Sequence, residues 1–194
     1  CQMIEAILDF DQELFLALNR LNSGFMDSIM VFISGKLEWI PLYVILLYFV
    51  YKKYGKHTWI ILIGAALTVT LADQISVQLF KNVFERLRPC HNPDINEMVH
   101  IVNNKCGGQF GFVSSHATNT FAIATFLGLL LKGAKKKTTL VLLLIWAAIV
   151  SYSRIYLGVH YPLDVLCGGI LGVGIGYFVY RLSKYFILKR TQST

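Results

Sequence analysis

The sequence predicts an all-α, multi-pass transmembrane helical bundle of about five spans, preceded by an amphipathic helix at the membrane interface. Three observations carry that expectation. Of 194 residues, 55% are hydrophobic and 15% charged, too apolar a mixture for an ordinary soluble domain. The apolar residues gather into runs at roughly 25–51, 57–80, 117–132, 138–152 and 163–187, each near the length that crosses ~30 Å of hydrocarbon at ~1.5 Å per residue. The charged residues collect between the runs, where they stay in contact with water or head groups. One domain covering 1–194 accounts for the chain, which has no internal repeat, low-complexity tract or linker.

Residues 3–22 come first. Ile4, Ile7, Leu8, Leu14, Phe15, Leu18 and Leu21 fall near one helical face, and Glu5, Asp9, Glu13 and Asn19 face away. Such a helix is expected to lie on the membrane rather than cross it. The chain opens with Cys1, which suggests an edited or tagged start with Met3 as the initiator. It lacks the basic stretch that begins a signal peptide.

The charges orient the spans. The turns 52–57 and 132–137 and the C-terminal stretch carry eleven of the eighteen Lys and Arg residues. Short basic loops stay in the cytoplasm, so the opposite ends of the spans are expected to face the exterior or periplasm. The expected location is therefore the cytoplasmic (inner) membrane, with the bilayer as partner and no nucleic acid. The last run repeats glycine at 168, 172 and 176, a spacing that lets helices approach closely, read here as packing inside the bundle.

One long polar loop, 89–115, separates the second and third runs. A connection of that length in a compact bundle is a lid or selector over a site, or else a solvated connector. Cys90 and Cys106 bracket it. They are expected either to form a bridge on the oxidising side, with about 3 kcal/mol of stabilisation, or to remain free thiols.

Three polar clusters sit at the outward ends of the runs. In the first, Lys81 and Arg88 are seven apart, about two helical turns, and Pro89 ends the helix. Together they offer a point charge and a planar fork to a phosphoryl group. In the second, Ser114 and Ser115 precede His116 at a helix start, where side-chain caps and free N–H groups hold anions. His116 is placed to protonate a leaving group. In the third, Ser153-Arg154 leads to His160 and Asp164, four apart around Pro162. That spacing sets Asp164 against one imidazole nitrogen and leaves the other as a nucleophile, with Arg154 on the developing charge. Each cluster by itself also reads as an interfacial anchor, helix cap or ion pair; their gathering on one face favours catalysis. Asp73, eight residues before Lys81, is an intramembrane acid that serves either the site or a structural hydrogen bond.

These residues resemble the three-part signature of the type 2 phosphatidic acid phosphatase (PAP2) superfamily, shared with the vanadium haloperoxidases. Its pattern is Lys, six residues, Arg-Pro; Pro-Ser-Gly-His; then Ser-Arg, five residues, His, three residues, Asp. The first and third parts match in full, and residues 25–187 fit the family's layout. In the middle part Val113 stands for the proline and Ser115 for the glycine, so an added Cβ is expected to narrow the phosphate cradle. The resemblance implies His160 as nucleophile, giving a phosphohistidine, with Asp164 supporting it and His116 as acid. It also implies Lys81, Arg88, Ser114 and Arg154 on the phosphoryl oxygens, and neither metal nor cofactor. The expected activity is hydrolysis of a membrane lipid phosphomonoester or pyrophosphate: undecaprenyl pyrophosphate, lipid A, phosphatidylglycerophosphate or phosphatidate. Transfer to an acceptor other than water, or binding or transport without turnover, are the alternatives.

Overall fold

A computed structural model describes residues 2–132 and 137–192; residues 133–136 of the expected basic turn lie outside the described residues. The described chain is all-α. Helix α1 (Gln2–Asn19) and α2 (Gly24–Ser34) lead into α3 (Ile40–Tyr54) and α4 (Thr58–Gln74). Helix α4 widens into π-helical turns at Ile75–Lys81 and ends in the short α5 (Asn82–Phe84). After the polar loop come α6 (Ser115–Leu131), α7 (Thr138–Tyr156) and α8 (Pro162–Gln192).

Among the described residues, three segments are long and apolar enough to cross a membrane: Ile40–Phe84, which holds the α3–α4 hairpin, Thr138–Tyr156 and Pro162–Lys189. Gly24–Ser34 and Ser115–Leu131 are shorter apolar helices. The outer faces of the long segments expose Val44, Ile63, Leu142, Ile170 and Phe178, as a surface solvated by lipid requires. This is a multi-pass membrane protein.

Helix α6 is the axle. It packs on α8, α7 and α4. Ile61, Phe126, Leu130 and Val179 close one core, and Leu46, Ala124, Leu143 and Trp146 close another. The glycine stripe of α8 faces α6, where a Cβ at Gly168 would come 2.7 Å from the Ser114 carbonyl. That contact fixes the start of α6 against the first turns of α8, which brings the second and third clusters together.

Two expectations change. The run 25–51 is not one helix: it breaks over 35–39, where Gly35 caps α2 and Pro41 sits in the first turn of α3, a position that suits proline. Helix α1 forms, with Glu5, Asp9 and Glu13 exposed, but it turns one narrow face to the protein that includes Asn19. Asp11, Phe15 and Asn19 are buried against the protein, while Ile4, Ile7, Leu8, Phe10 and Leu14 are exposed. Asn19, expected to face away, instead bonds the carbonyls of His100 and Tyr156 and accepts from the His100 N–H.

Candidate active site

The three clusters converge at one end of the bundle. The extended stretch after α5 pairs Leu87 with Phe110, so the Arg88 N–H donates to the Gln109 carbonyl. Arg88 is buried, with Nε on the Phe110 carbonyl at 3.2 Å and Nη1 on the Cys106 carbonyl at 2.8 Å. The Cys90–Cys106 disulfide, with Cα atoms 6.0 Å apart, holds that part of the loop beside it. His91 is near the two sulfurs, which are bonded to each other and so are not free to take a metal.

At the start of α6, Ser114 is fully buried and caps the helix by accepting from the Ala117 N–H. Its own N–H donates to the Asp164 carbonyl at 2.9 Å. Arg154 lies in the last turn of α7, with Nη1 bonded to Ser34 Oγ and a buried Nε that has no partner among the described residues. A buried guanidinium N–H free of protein partners can donate to an anion's oxygen.

His160 is 1% exposed, at the turn into α8. Its Nδ1 faces Asp164 Oδ2 at 3.3 Å, and the same oxygen accepts from the Tyr161 N–H at 3.0 Å. That arrangement holds the proton on Nδ1 and leaves Nε2 as a lone-pair donor. Burial first, and then the positive fields of Arg88, Arg154 and Lys81, hold the imidazole well below its ordinary value. A neutral, nucleophilic ring inside a ring of three cations is the setting for attack on an anionic phosphorus centre. The backbone must come close here: a Cβ at Gly111 would lie 3.0 Å from Asp164 Oδ2 and 3.2 Å from Arg88 Cγ.

His116, one residue into α6, lines a cavity of about 620 Å³. Near the site that cavity is polar, with Ser34, Lys36, Asp73, Ser115, Asn119 and Thr120 in its wall; beyond, Tyr43, Leu47, Ile61, Leu62 and Leu127 make it apolar. His116 to Leu127 is eleven residues of helix, or ~16 Å of depth.

A family model described as the PAP2 superfamily matches residues 58–188, a stretch that contains every residue of the three clusters. The chain belongs to the PAP2 superfamily. It is 38% identical over 194 residues to the lipid A 4'-phosphatase of Bacteroides thetaiotaomicron, covering 98% of this chain and 84% of that one. It is 36% identical over 185 residues to the lipid A 4'-phosphatase of Porphyromonas gingivalis, covering 94% and 76%. The structure resembles the transmembrane PAP2-type phosphatidylglycerolphosphate phosphatase from Bacillus subtilis, with a TM-score of 0.67 and 25% identity over 95% of this chain and 87% of that one. It is a membrane lipid phosphatase.

Three features of this PAP2 phosphatase were not read from its sequence. Lys36, in the break between α2 and α3, shares the cavity wall with His116. Arg86 and Asp11 form an ion pair behind Asp164. Lys36 and Asp11 lie outside the signatures, in the α2–α3 break and on the buried face of α1, and Arg86 is one of the six residues that the first signature leaves unspecified between Lys81 and Arg88. Ser115 also differs from expectation. Its side chain turns to α4, where its Oγ is 2.8 Å from Ser76 Oγ in the π-helical stretch.

Proposed function

We propose that this phosphatase removes a phosphate from a lipid A-type glycolipid through a phosphohistidine, at the extracytoplasmic face of the inner membrane. The observation that carries the reading is the cavity, which leads from His116 past polar residues into an apolar trough. Asn119 Oδ1 is buried there without a partner among the described residues. A leaving group that bears hydroxyls or amides would satisfy Asn119 and the Asp73 carboxylate, and acyl chains would fill the trough. A bare prenyl alcohol would leave them unmet. The two lipid A 4'-phosphatases at 38% and 36% identity support the same head group.

In the first step Nε2 of His160 attacks phosphorus, the N–P bond forms, and the bond to the lipid oxygen breaks. His116 delivers its proton to that oxygen. Lys81, Arg88, Arg154 and the N–H groups at the start of α6 hold the phosphoryl oxygens as charge builds, with Ser114 and Ser115 shaping that turn. His116, now neutral, takes a proton from water, which attacks phosphorus; the P–N bond breaks and phosphate leaves. Asp164 keeps the His160 proton on Nδ1 through both steps.

Two further observations support the placement. Lys52, Lys53, Lys56, Lys184 and Lys189 lie at the ends of helices away from the site, as the positive-inside rule requires for an outward site. The exposed apolar residues of α1 suit contact with the membrane interface, and on this reading α3, α4, α6, α7 and α8 form the five passes.

The test is phosphate release in detergent with EDTA from lipid A, undecaprenyl pyrophosphate, phosphatidylglycerophosphate and phosphatidate. Wild type is expected to act fastest on lipid A, and His160→Ala to lose at least about 10³-fold on all four. A prenyl pyrophosphate preference would sink the glycolipid reading, and an active His160→Ala would sink the nucleophile.

A further inference from the structure

The N-terminal helix delivers a carboxylate to the back of the proposed nucleophile. Asp11, midway along α1, is 2% exposed. Its Oδ2 meets Arg86 Nη2 at 2.6 Å, and its Oδ1 accepts from the Leu163 N–H at 2.8 Å in the first turn of α8. The other arm of the same guanidinium, Nη1, meets Asp164 Oδ1 at 2.9 Å. Asp164 Oδ2 then faces His160 Nδ1. A continuous chain runs from α1 to the imidazole: Asp11, Arg86, Asp164, His160.

The guanidinium is also held from its face. It lies 4.1 Å above the Tyr161 ring, which packs edge-on against Phe15 at 5.4 Å and bonds Asn92 Nδ2 through its hydroxyl at 3.1 Å. Phe15 is one turn after Asp11 on the same buried face of α1. Both arms of the Arg86 guanidinium are already taken by carboxylates, and the Asp11 carboxylate would repel an anion, so phosphate binding does not explain the pair. Nor does stability: a buried ion pair contributes little beyond what apolar residues of the same volume would. What the pair supplies is geometry. With Asp11 on one arm, Arg86 has a fixed plane, and its other arm fixes the rotation of the Asp164 carboxylate.

We propose that Asp11 and Arg86 are positioning residues that act through Asp164 to aim Nε2 of His160 at phosphorus, so that α1 is a working part of the active site. The inference rests on the reading of His160 as the nucleophile. Helix α1 therefore contributes to the rate of the chemical step, not to substrate affinity.

Asp11→Asn keeps an acceptor for the Leu163 N–H and removes only the charge opposite Arg86. Hydrolysis by the full-length protein in detergent is measured together with inhibition by orthovanadate, which becomes five-coordinate on a nucleophile and mimics the transition state, and by orthophosphate, which mimics the product ground state. In Asp11→Asn we expect kcat to fall about 10–100-fold, the range that outer partners of a functional histidine command, with KM within about threefold of wild type. Vanadate inhibition should weaken by the same factor as kcat, and phosphate inhibition should stay within about twofold. Arg86→Lys, which keeps the charge and loses the fork, should match it, and the double variant should be no worse than the poorer single one. Wild-type kcat in Asp11→Asn would overturn the proposal. So would a parallel weakening of vanadate and phosphate with a lowered unfolding midpoint, which marks a purely structural role. A wild type that turns over lipid but is not inhibited by vanadate would remove the nucleophile reading, and this proposal with it.

Discussion

Two cations at opposite ends of the bundle separate a structural charge from one proposed to bind substrate. Away from the site, Lys53 Nζ donates to the Leu130 carbonyl at 2.7 Å and the Lys132 carbonyl at 3.0 Å, and the Tyr54 hydroxyl joins it on Leu130 at 2.7 Å. Those carbonyls are the orphan acceptors at the end of α6, so the ammonium caps a helix and meets its dipole. Arg154 also sits in the last turn of a helix. It bonds Ser34 and leaves Nε buried and unpaired among the described residues. The first cation is consumed by the fold. The second keeps an N–H free of protein partners, which otherwise costs about 1–3 kcal/mol and which the proposed phosphate would satisfy.

That contrast breaks most readily at Arg154. Arg154→Ala should lower kcat/KM by about 10²–10³, the loss expected for one donor to developing oxyanion charge, as read from steady-state hydrolysis. If Arg154 were another helix cap, the rate would stay near wild type and only the unfolding midpoint would move.

The pH profile sharpens the same comparison, because it reads the field of the cations that are held open. His160 is held below the ordinary histidine value by burial and by Arg88, Arg154 and Lys81. The ordinary value is about 6.5. A neutral ring is the reactive form, and it is lost only as pH falls through the lowered folded value. After correction for the substrate's own ionisation near pH ~6, kcat/KM should therefore show no loss from pH 7 down to about 6.5, with its acid limb centred below that value. An acid limb centred at or above that value would refute the cationic field. Folding stability follows the same sign: the unfolded chain takes up a proton that folded His160 refuses, so stability falls as pH drops below ~6.5.

Smaller effects are expected where polar groups are already paired. Ser115→Gly should cost about 1 kcal/mol in unfolding free energy for its bond to Ser76, and should leave kcat within about threefold. A larger rate loss would return the Ser115 hydroxyl to the phosphate. Lys53→Met should lower stability by about 0.5–1 kcal/mol with no change in kcat, and a change in kcat would erase the distinction between the two cations.

The gathering of the candidate site was legible because spacing survives folding. Lys81 to Arg88, and His160 to Asp164, are fixed by helical and turn geometry within one stretch of chain, so their joint use follows from order alone. The Cys90–Cys106 bridge, one of two expectations for that loop, needed the chain path to bring the Cα atoms to 6.0 Å. Lys36, Arg86 and Asp11 were not legible, because each reaches the site across a contact between segments distant in sequence. The middle motif shows the same divide. That Ser115 replaces a glycine is plain in the sequence, but whether its side chain narrows a phosphate cradle or turns to Ser76 depends on where α4 lies.

The sequence alone determined the helical class, the apolar runs, and the three groups of polar residues proposed to hold and attack phosphate, since these depend on composition and on distances along one segment. Tertiary structure decided which face of each helix turns inward. The periodicity of α1 separates an apolar face from a polar one, and in water the apolar face would be the buried one. Here Asp11 and Asn19 go in beside Phe15, while Ile4, Ile7 and Leu14 stay out together with Glu5, Asp9 and Glu13. The physical reason is that a membrane protein has no aqueous surroundings to force apolar groups inward, so polar groups go where a partner satisfies them. The partners of Asp11 and Asn19, Arg86 and the Tyr156 carbonyl, are separated from them by 75 and 137 residues along the chain.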